Sequence, residues 1–268
     1  MQKITEQTPV HRHLEKKSIH EITWLINREN AAVAGAIETA LPQLNLLIEA
    51  IVRKMEDGGR MFYLGAGSGG RLAVLDAIEL PTTYGIPKGK VLPILAGGMD
   101  RLIEAREEME DDVQEGWSQL TCEHVSGKDI VVGISASGTT PFVLGGLEAC
   151  RKNGITTGCI VSNPGSPIAA AVDWPVEAIT GPEFIAGSTR MKCGTAQKML
   201  LDMISTTVMI KLGRVEDNRM VNVQLINDKI TDRAVRMLME MAPLDNYDAA
   251  KRLLLQHGSV RSAIDSLK

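Results

Sequence analysis

The chain has 268 residues, 44% of them hydrophobic, with 29 basic against 33 acidic side chains and a formal charge of −4. That length suffices for one large core, alone or with a small satellite domain, and the mild acidity lacks the concentrated basic face that nucleic acid or an anionic membrane requires. Aromatic residues make up 3%, and the apolar mass lies in Ala, Leu, Ile, Val and thirteen Met, a composition for close-packed helices and buried strands rather than for stacking bases.

Residues 1–18 are polar and expected to be irregular. The start MQKITEQTPVHRH lacks a signal peptide's apolar stretch, no 18-residue run is both apolar and free of charge, and the cytoplasm is the expected compartment. IHEITWLINREN over 19–30 reads as a short helix, followed by a long amphipathic one that Pro42 kinks or divides and that Gly58 and Gly59 stop. MFYL (61–64) is then a strand, leading through a glycine turn into the helical run RLAVLDAIEL. VLPIL (91–95) is a second strand, followed by AGG and an acidic helix over DRLIEAREEMEDDVQEG. DIVVGI (129–134), the turn SASGTT and the helix PFVLGGLEACRKNG follow, and GCIVSN and WPVEAI complete the apolar strands. This alternation predicts an α/β fold, a three-layer sandwich around a five-stranded parallel sheet, with ligands at the carboxyl ends of the strands. After GPEFIAGSTR comes a long helix from about Met191, then a small helical module. The expected division is an N-terminal helical segment packing on the core (1–55), the α/β domain (56–225) and a C-terminal helical module (226–268).

Cys122, Cys150, Cys159 and Cys193 are irregularly spaced with no CxxC or Cys–His cluster, so they read as buried thiols and no metal is expected. The first candidate site is Gly65-Ala66-Gly67-Ser68-Gly69-Gly70-Arg71, where glycines let the backbone approach a ligand and a helix start offers unpaired N–H groups to an anion. Its spacing is similar to a dinucleotide fingerprint, but no acidic ribose-binding residue follows at the required distance, and no Gly-Lys-Ser/Thr makes it a P-loop. A tight structural turn is the competing reading. The second is Ser135-Ala136-Ser137-Gly138-Thr139-Thr140, which also caps a helix. One hydroxyl suffices for a cap, and the surplus suits phosphate oxygens. GPEFIAGSTR adds a third polar turn, with Arg190 and Lys192 at a helix start; a solvated patch or a salt bridge is the plainer alternative. Glu79 closes an apolar helical run just before Pro81, and a carboxylate buried there would carry protons near neutrality. A helix-end ion pair explains it equally well. Glu110, among Glu104, Glu107, Glu108, Asp111 and Asp112, reads by itself as part of a solvated acidic face.

Taken together, LGAGSGGRLAVLDAIELPTTYG, LAGG, EMEDD, VVGISASGTTPFVLGGLEACRKNG, SNPGSPIA and above all GSTRMKCGTAQK resemble the N-acetylmuramic acid 6-phosphate etherases, within the sugar-isomerase (SIS) domain superfamily. NREN near the start and the spacing in NDKITDR agree, so the resemblance runs from about Ile4 to the C-terminus. It implies homodimers without metal or cofactor that bind N-acetylmuramic acid 6-phosphate or a related phosphosugar. Their reaction cleaves the D-lactyl ether, giving N-acetylglucosamine 6-phosphate and D-lactate in cell-wall sugar recovery. By motif, the family's general acid/base falls on Glu79 and its partner carboxylate on Glu110. Phosphate and sugar contacts fall on Gly67, Ser68, Gly69, Gly70, Arg71, Ser135, Ser137, Gly138, Thr139, Thr140, Ser188, Arg190 and Lys192.

Four departures stand out. GAGSGGR replaces the usual GAGTSGR, placing Gly69 where a phosphate-contacting serine is usual; IELPTT replaces SECPPT beside Glu79; SGTTP replaces SGRTP, placing Thr139 where an arginine is usual; and the C-terminal helical region is shorter. Two competing functions share the fold. A phosphosugar isomerase would release no lactate, and a sugar-phosphate-sensing regulator akin to the glucokinase regulatory proteins would be expected if Glu79 and Glu110 lay far apart.

Overall fold

A computed structural model describes residues 3–103 and 107–267. The sheet contains β1 (Met61–Gly65), β2 (Val91–Leu95), β3 (Ile130–Ser135), β4 (Thr156–Val161) and β5 (Trp174–Glu177), all parallel, in the order β2-β1-β3-β4-β5. The two edge strands carry the two strand prolines, Pro93 and Pro175. Edges tolerate a residue that cannot donate to the ladder.

Side-chain alternation divides the core between the two faces of the sheet. Met61 and Tyr63 of β1, with Ile130, Val132 and Ile134 of β3, face one layer. That layer is built from α1 (Ile19–Glu56), α2 (Gly67–Tyr84) and α6 (Lys192–Lys211). Phe62 and Leu64, with Val131 and Val161, face the opposite layer. There lie α3 (Glu115–Cys122), α4 (Pro141–Lys152) and the single turn α5 (Pro167–Ala170). A third apolar cluster joins α7 (Asp228–Met241), α8 (Tyr247–His257) and α9 (Val260–Asp265) around Val235, Leu238, Leu254 and Val260. It is tied to the end of α2, where the Gln224 N–H donates to the Thr82 carbonyl (3.1 Å) and Arg214 donates to the Gly85 carbonyl (3.2 Å).

Three local expectations are corrected. The two helices expected on either side of residue 30 are one helix of 38 residues, opened by a capping box between Ser18 and Glu21. Pro42 sits inside it, on the exposed face, while Val33, Ile37, Leu44, Leu47 and Ile51 form a continuous buried stripe past it. A proline removes one backbone bond, and here packing along the opposite face outweighs that loss. By length and composition α1 is apolar enough to cross a membrane, but its apolar stripe is part of the core between the sheet and α6.

The acidic helix expected over 100–116 is not formed as one element among the described residues. Short 3-10 turns occupy Met99–Arg101 and Glu107–Asp111, and α3 begins only at Glu115, where the Asp112 carboxylate accepts from the N–H groups of Gln114 (2.8 Å) and Glu115 (3.1 Å). Like charges three and four apart oppose a regular helix, and a short aspartate finds a better place as its cap. Finally, Cys150, Cys159 and Cys193 are buried but Cys122 is exposed. Burial pushes the first two thiols up to about 12 and Cys193 up to about 11, so all three stay protonated and inert.

Candidate active site

In the strand order β2-β1-β3 the connections leaving β1 and β3 diverge, which opens a crevice beyond their carboxyl ends. A cleft of about 400 Å³ lies there. Its walls come from the turn after β1 (Ala66, Gly67, Ser68, Gly69 and Arg71), the turn after β3 (Ser135, Ala136, Ser137 and Thr140), and the segment Glu110–Asp111. Glu6, Gly187, Thr189, Ile134 and Gln197 complete them.

The β1 turn works through absent side chains. Gly67 has φ +52°, and a Cβ on it would stand 2.7 Å from Glu110 Oε1, so the Glu110 carboxylate lies directly over the first residue of α2. That is the position where a helix start favours a negative charge. Gly70 does not line the cleft; a Cβ there would press into Gly65 at 2.7 Å and Leu95 at 2.6 Å, so its task is close packing of α2 on the sheet. Arg71 keeps its guanidinium at the rim by donating from Nε to the Leu102 carbonyl (3.1 Å).

The β3 turn is a small hydroxyl network. Ser135 Oγ lies 2.8 Å from Thr140 Oγ1 and 3.3 Å from Ser137 Oγ, and it accepts from the Gly138 N–H (3.1 Å). Ser137 Oγ accepts from the N–H (3.2 Å) and hydroxyl (3.1 Å) of Thr139. Thr139 thus braces the loop rather than facing the cleft, and Gly138, at φ +68°, turns it where a Cβ would strike Ser166 Oγ at 2.2 Å. The loop's hydroxyls sit at the start of α4, where Pro141 carries no N–H and the Val143 and Leu144 N–H groups already donate to the Thr140 carbonyl (3.1 and 3.0 Å), so the hydroxyls themselves form the anion cradle.

The third turn divides its residues. Thr189 and Gly187 reach the cleft, whereas Ser188 lies in the turn beside it, with its N–H on the Ile185 carbonyl (3.0 Å). Arg190 lines the neighbouring groove of about 580 Å³ with Ser68, Arg71, Leu72, Leu75, Lys198 and Met199. Lys192 points away, buried, and its Nζ donates to Glu29 Oε2 at 2.5 Å. Glu29 also accepts from His11 Nε2 (3.2 Å), and its carboxyl is held below the ordinary value, first by the hydrogen bond from Lys192. Glu183, 1% exposed, accepts from the backbone N–H groups of Lys192 and Cys193 (both 2.9 Å) and so caps α6 with a carboxylate.

Glu79 departs most from expectation. It is exposed on α2, twelve residues after Gly67, which is about 18 Å along the helix axis. Within one chain it does not line the cleft that holds Glu110. The expected burial fails because α2 turns its Asp76 and Ala77 face inward and leaves Leu75, Ile78 and Glu79 outward.

Two contributors were not visible in the sequence pattern. Glu6 reaches the cleft because Thr5 beside it is buried: the Thr5 N–H donates to Asn163 Oδ1 (3.3 Å), and Asn163 Nδ2 donates to Thr5 Oγ1 (3.1 Å) and to the Ala136 carbonyl (3.0 Å). Gln197 reaches it from α6. Both come from segments remote in sequence from the two glycine and serine turns; GTAQK belongs to the string that carries the family resemblance, but neither it nor ITE marks Gln197 or Glu6 as a cleft residue.

Comparison with known proteins gives this arrangement its relatives. Residues 43–151 match the glucokinase regulatory protein N-terminal SIS domain, and residues 111–206 match the SIS domain. Among solved structures, a phosphoheptose isomerase from Francisella tularensis superposes with a TM-score of 0.54 over 74% of this chain and 100% of its own, at 17% identity. Its homologue from Neisseria gonorrhoeae covers 70% and 97% at the same TM-score and 16% identity. These show the fold. At the level of sequence, the N-acetylmuramic acid 6-phosphate etherase of Bacteroides fragilis is 53% identical over 99% of this chain and 94% of its own length. That of Porphyromonas gingivalis is also 53% identical, over 100% and 97%. With the cleft at the β1/β3 crevice and near end-to-end identity of this order, the chain belongs to the N-acetylmuramic acid 6-phosphate etherase family.

Proposed function

We infer that the protein is a carbon–oxygen lyase that cleaves the D-lactyl ether of N-acetylmuramic acid 6-phosphate in the cytoplasm, releasing D-lactate and N-acetylglucosamine 6-phosphate. The observation that carries this reading is the cleft itself, in which a cradle of three hydroxyls, Ser135, Ser137 and Thr140, shares the cleft with a carboxylate, Glu110, set over the start of α2. The phosphate is remote from the reacting carbons, so holding it fixes C2 and C3 against the acid/base groups.

An alkoxide is a poor leaving group, but the open-chain sugar carries an aldehyde that acidifies the C2 hydrogen. A base takes that proton, an acid protonates the departing C3 oxygen, and lactate leaves with the former ether oxygen. Water then adds across the resulting C2–C3 double bond: its oxygen bonds to C3 and a proton returns to C2. Glu110 and Glu79 share these proton transfers, each worth about 10²–10⁴-fold in rate.

Glu79 reaches a reaction centre in this proposal only if a second copy brings it there. What supports that is the stripe Ser68, Leu72, Leu75 and Glu79, spaced to lie on one outer face of α2, with Leu75 and Ile78 exposed. Leu72 and Leu75 bracket the midpoint between Ser68 and Glu79. Two copies of α2 crossing antiparallel about a two-fold axis at that midpoint therefore set the Glu79 of each beside the Ser68 end of the other. The separation of Glu79 from Glu110 within one chain is also what the sugar-phosphate-sensing reading anticipated, and one assay separates the two. Purified protein is mixed with N-acetylmuramic acid 6-phosphate in ¹⁸O-labelled water. The etherase gives stoichiometric D-lactate and places the label at C3 of the sugar; tight binding of the sugar phosphate with no lactate establishes the sensor instead.

A further inference from the structure

Gln197 is 2% exposed, and its carboxamide makes no hydrogen bond to any described residue, yet it lines the cleft. Its amide atoms are not sealed from the cleft, where water or a ligand completes their bonds, so the group is placed to hydrogen-bond a ligand. Its place is specific. A Cβ on Gly69 would stand 3.1 Å from Oε1 and 3.4 Å from Nε2 of Gln197, and 2.9 Å from Ile134 Cγ2. The absence of a side chain at Gly69 is therefore what lets the amide sit against the first turn of α2, beside Ile134, in a cleft that Ala66 and Ala136 also line.

A neutral amide can donate to phosphate through Nε2, but it brings no charge and leaves its acceptor oxygen unused. The hydroxyls of the β3 turn serve that role better. A carboxamide offers both a donor and an acceptor, either of which can pair with one end of a trans secondary amide, whose N–H and carbonyl point opposite ways, and the neighbouring Ile134 side chain suits a methyl. We propose that Gln197 is the residue that reads the sugar's N-acetyl group, donating from Nε2 to its carbonyl, with the acetyl methyl on the Ile134 side. This rests on the phosphosugar-binding reading above and adds the determinant that selects an N-acetylated sugar over one bearing a hydroxyl at C2.

The test compares N-acetylglucosamine 6-phosphate with glucose 6-phosphate in calorimetric titrations of the full-length protein, which separates it from the assay for lactate. Wild type is expected to bind the acetamido sugar at least about tenfold more tightly, as deleting a paired buried hydrogen bond implies. In Q197M, which keeps the length and loses the amide, the ratio falls towards unity while the Kd for glucose 6-phosphate stays within about twofold. Q197N, which withdraws the amide by one methylene, gives the same collapse and guards against misfolding of the first variant. Equal weakening for both sugars in the two variants would assign Gln197 to the phosphate or to packing, and an unchanged ratio, or a wild type without preference, would remove it from recognition altogether. Loss of lactate release with the selectivity ratio intact would instead count against the etherase reading alone.

Discussion

Lys192 and Glu29 show what a buried charge demands of its surroundings. The Lys192 side chain is 4% exposed and Glu29 22%, and the two come from neighbouring helices of the core layer, α6 and α1. Removing one partner leaves the other's charge desolvated and uncompensated, which costs about 3–5 kcal/mol, whereas removing both is close to neutral. E29Q is expected to lower stability by about that amount in urea titrations, and E29Q/K192M to recover most of it; a single variant within about 1 kcal/mol of wild type would mean that water already solvates the ammonium. Because the pair holds the Glu29 carboxyl below its ordinary 4.5, its contribution is present at neutral pH and is lost as the pH falls through the lowered value. This residue also marks how far single positions could be read. GSTRMK announced a site, and Thr189 and Arg190 stand at the cleft and its neighbouring groove. NREN, however, gives no local sign that its glutamate is the counter-ion of Lys192, 163 positions away. Charge pairing at that separation is a property of the fold, and a lysine beside a phosphate motif reads the same whether it faces ligand or core.

Among the elements, the contact between α2 and α6 carries the most consequential polar group outside the cleft. Asp76 of α2 is buried; it accepts from the Ser205 hydroxyl of α6 at 2.8 Å and from the Tyr63 hydroxyl of β1 at 3.1 Å. Burial pushes its carboxyl up from 3.8 to about 6, and the two hydroxyl donors only partly offset that. The native state therefore binds a proton more readily than the unfolded chain, so Asp76's contribution is full below the ordinary carboxylate value and is lost as the pH rises from about 4 to 6. At neutral pH the ionised group costs on the order of 3 kcal/mol. An asparagine of the same shape can keep both neighbours bonded without the charge. D76N is expected to raise Tm at pH 7 relative to wild type, with the difference shrinking towards pH 4; an increment independent of pH would exclude ionisation as its cause. The elements themselves were mostly legible. All five strands were anticipated because short apolar runs ended by glycine or serine turns leave little choice in an α/β chain. The failures have a common cause. Local propensity misleads at Pro42 in α1 and at the acidic run before α3, where the outcome is set by the buried stripe opposite the proline and by the Asp112 cap.

For the whole molecule, the proposed roles of Glu110 and Glu79 require that a side chain about 18 Å along the α2 axis from the helix start beneath Glu110 reach the same reaction. Motif reading placed both in a single site because it carries no information about which copy supplies a residue. A two-fold pairing of α2 predicts that each complete site takes Glu110 from one copy and Glu79 from the other, and this has a signature that no single-chain site can imitate. E79Q and E110Q homodimers should each lose about 10²–10⁴-fold in lactate release while still binding the product sugar phosphate. Unfolded together and refolded in equal amounts, they form mixed dimers in half of the molecules. In each mixed dimer one site has both carboxylates and the other has neither, so activity should return to about a quarter of the wild-type value. If Glu79 and Glu110 instead act within the same chain, no combination holds an intact pair and the mixture stays as inactive as its components. The interface itself is tested by L75E, which places a charge at the proposed two-fold axis. It should yield monomers in sedimentation, with a native circular dichroism spectrum and the same loss of lactate release as E79Q. A dimeric L75E protein with full activity would move the interface elsewhere and leave Glu79 without a route to the cleft.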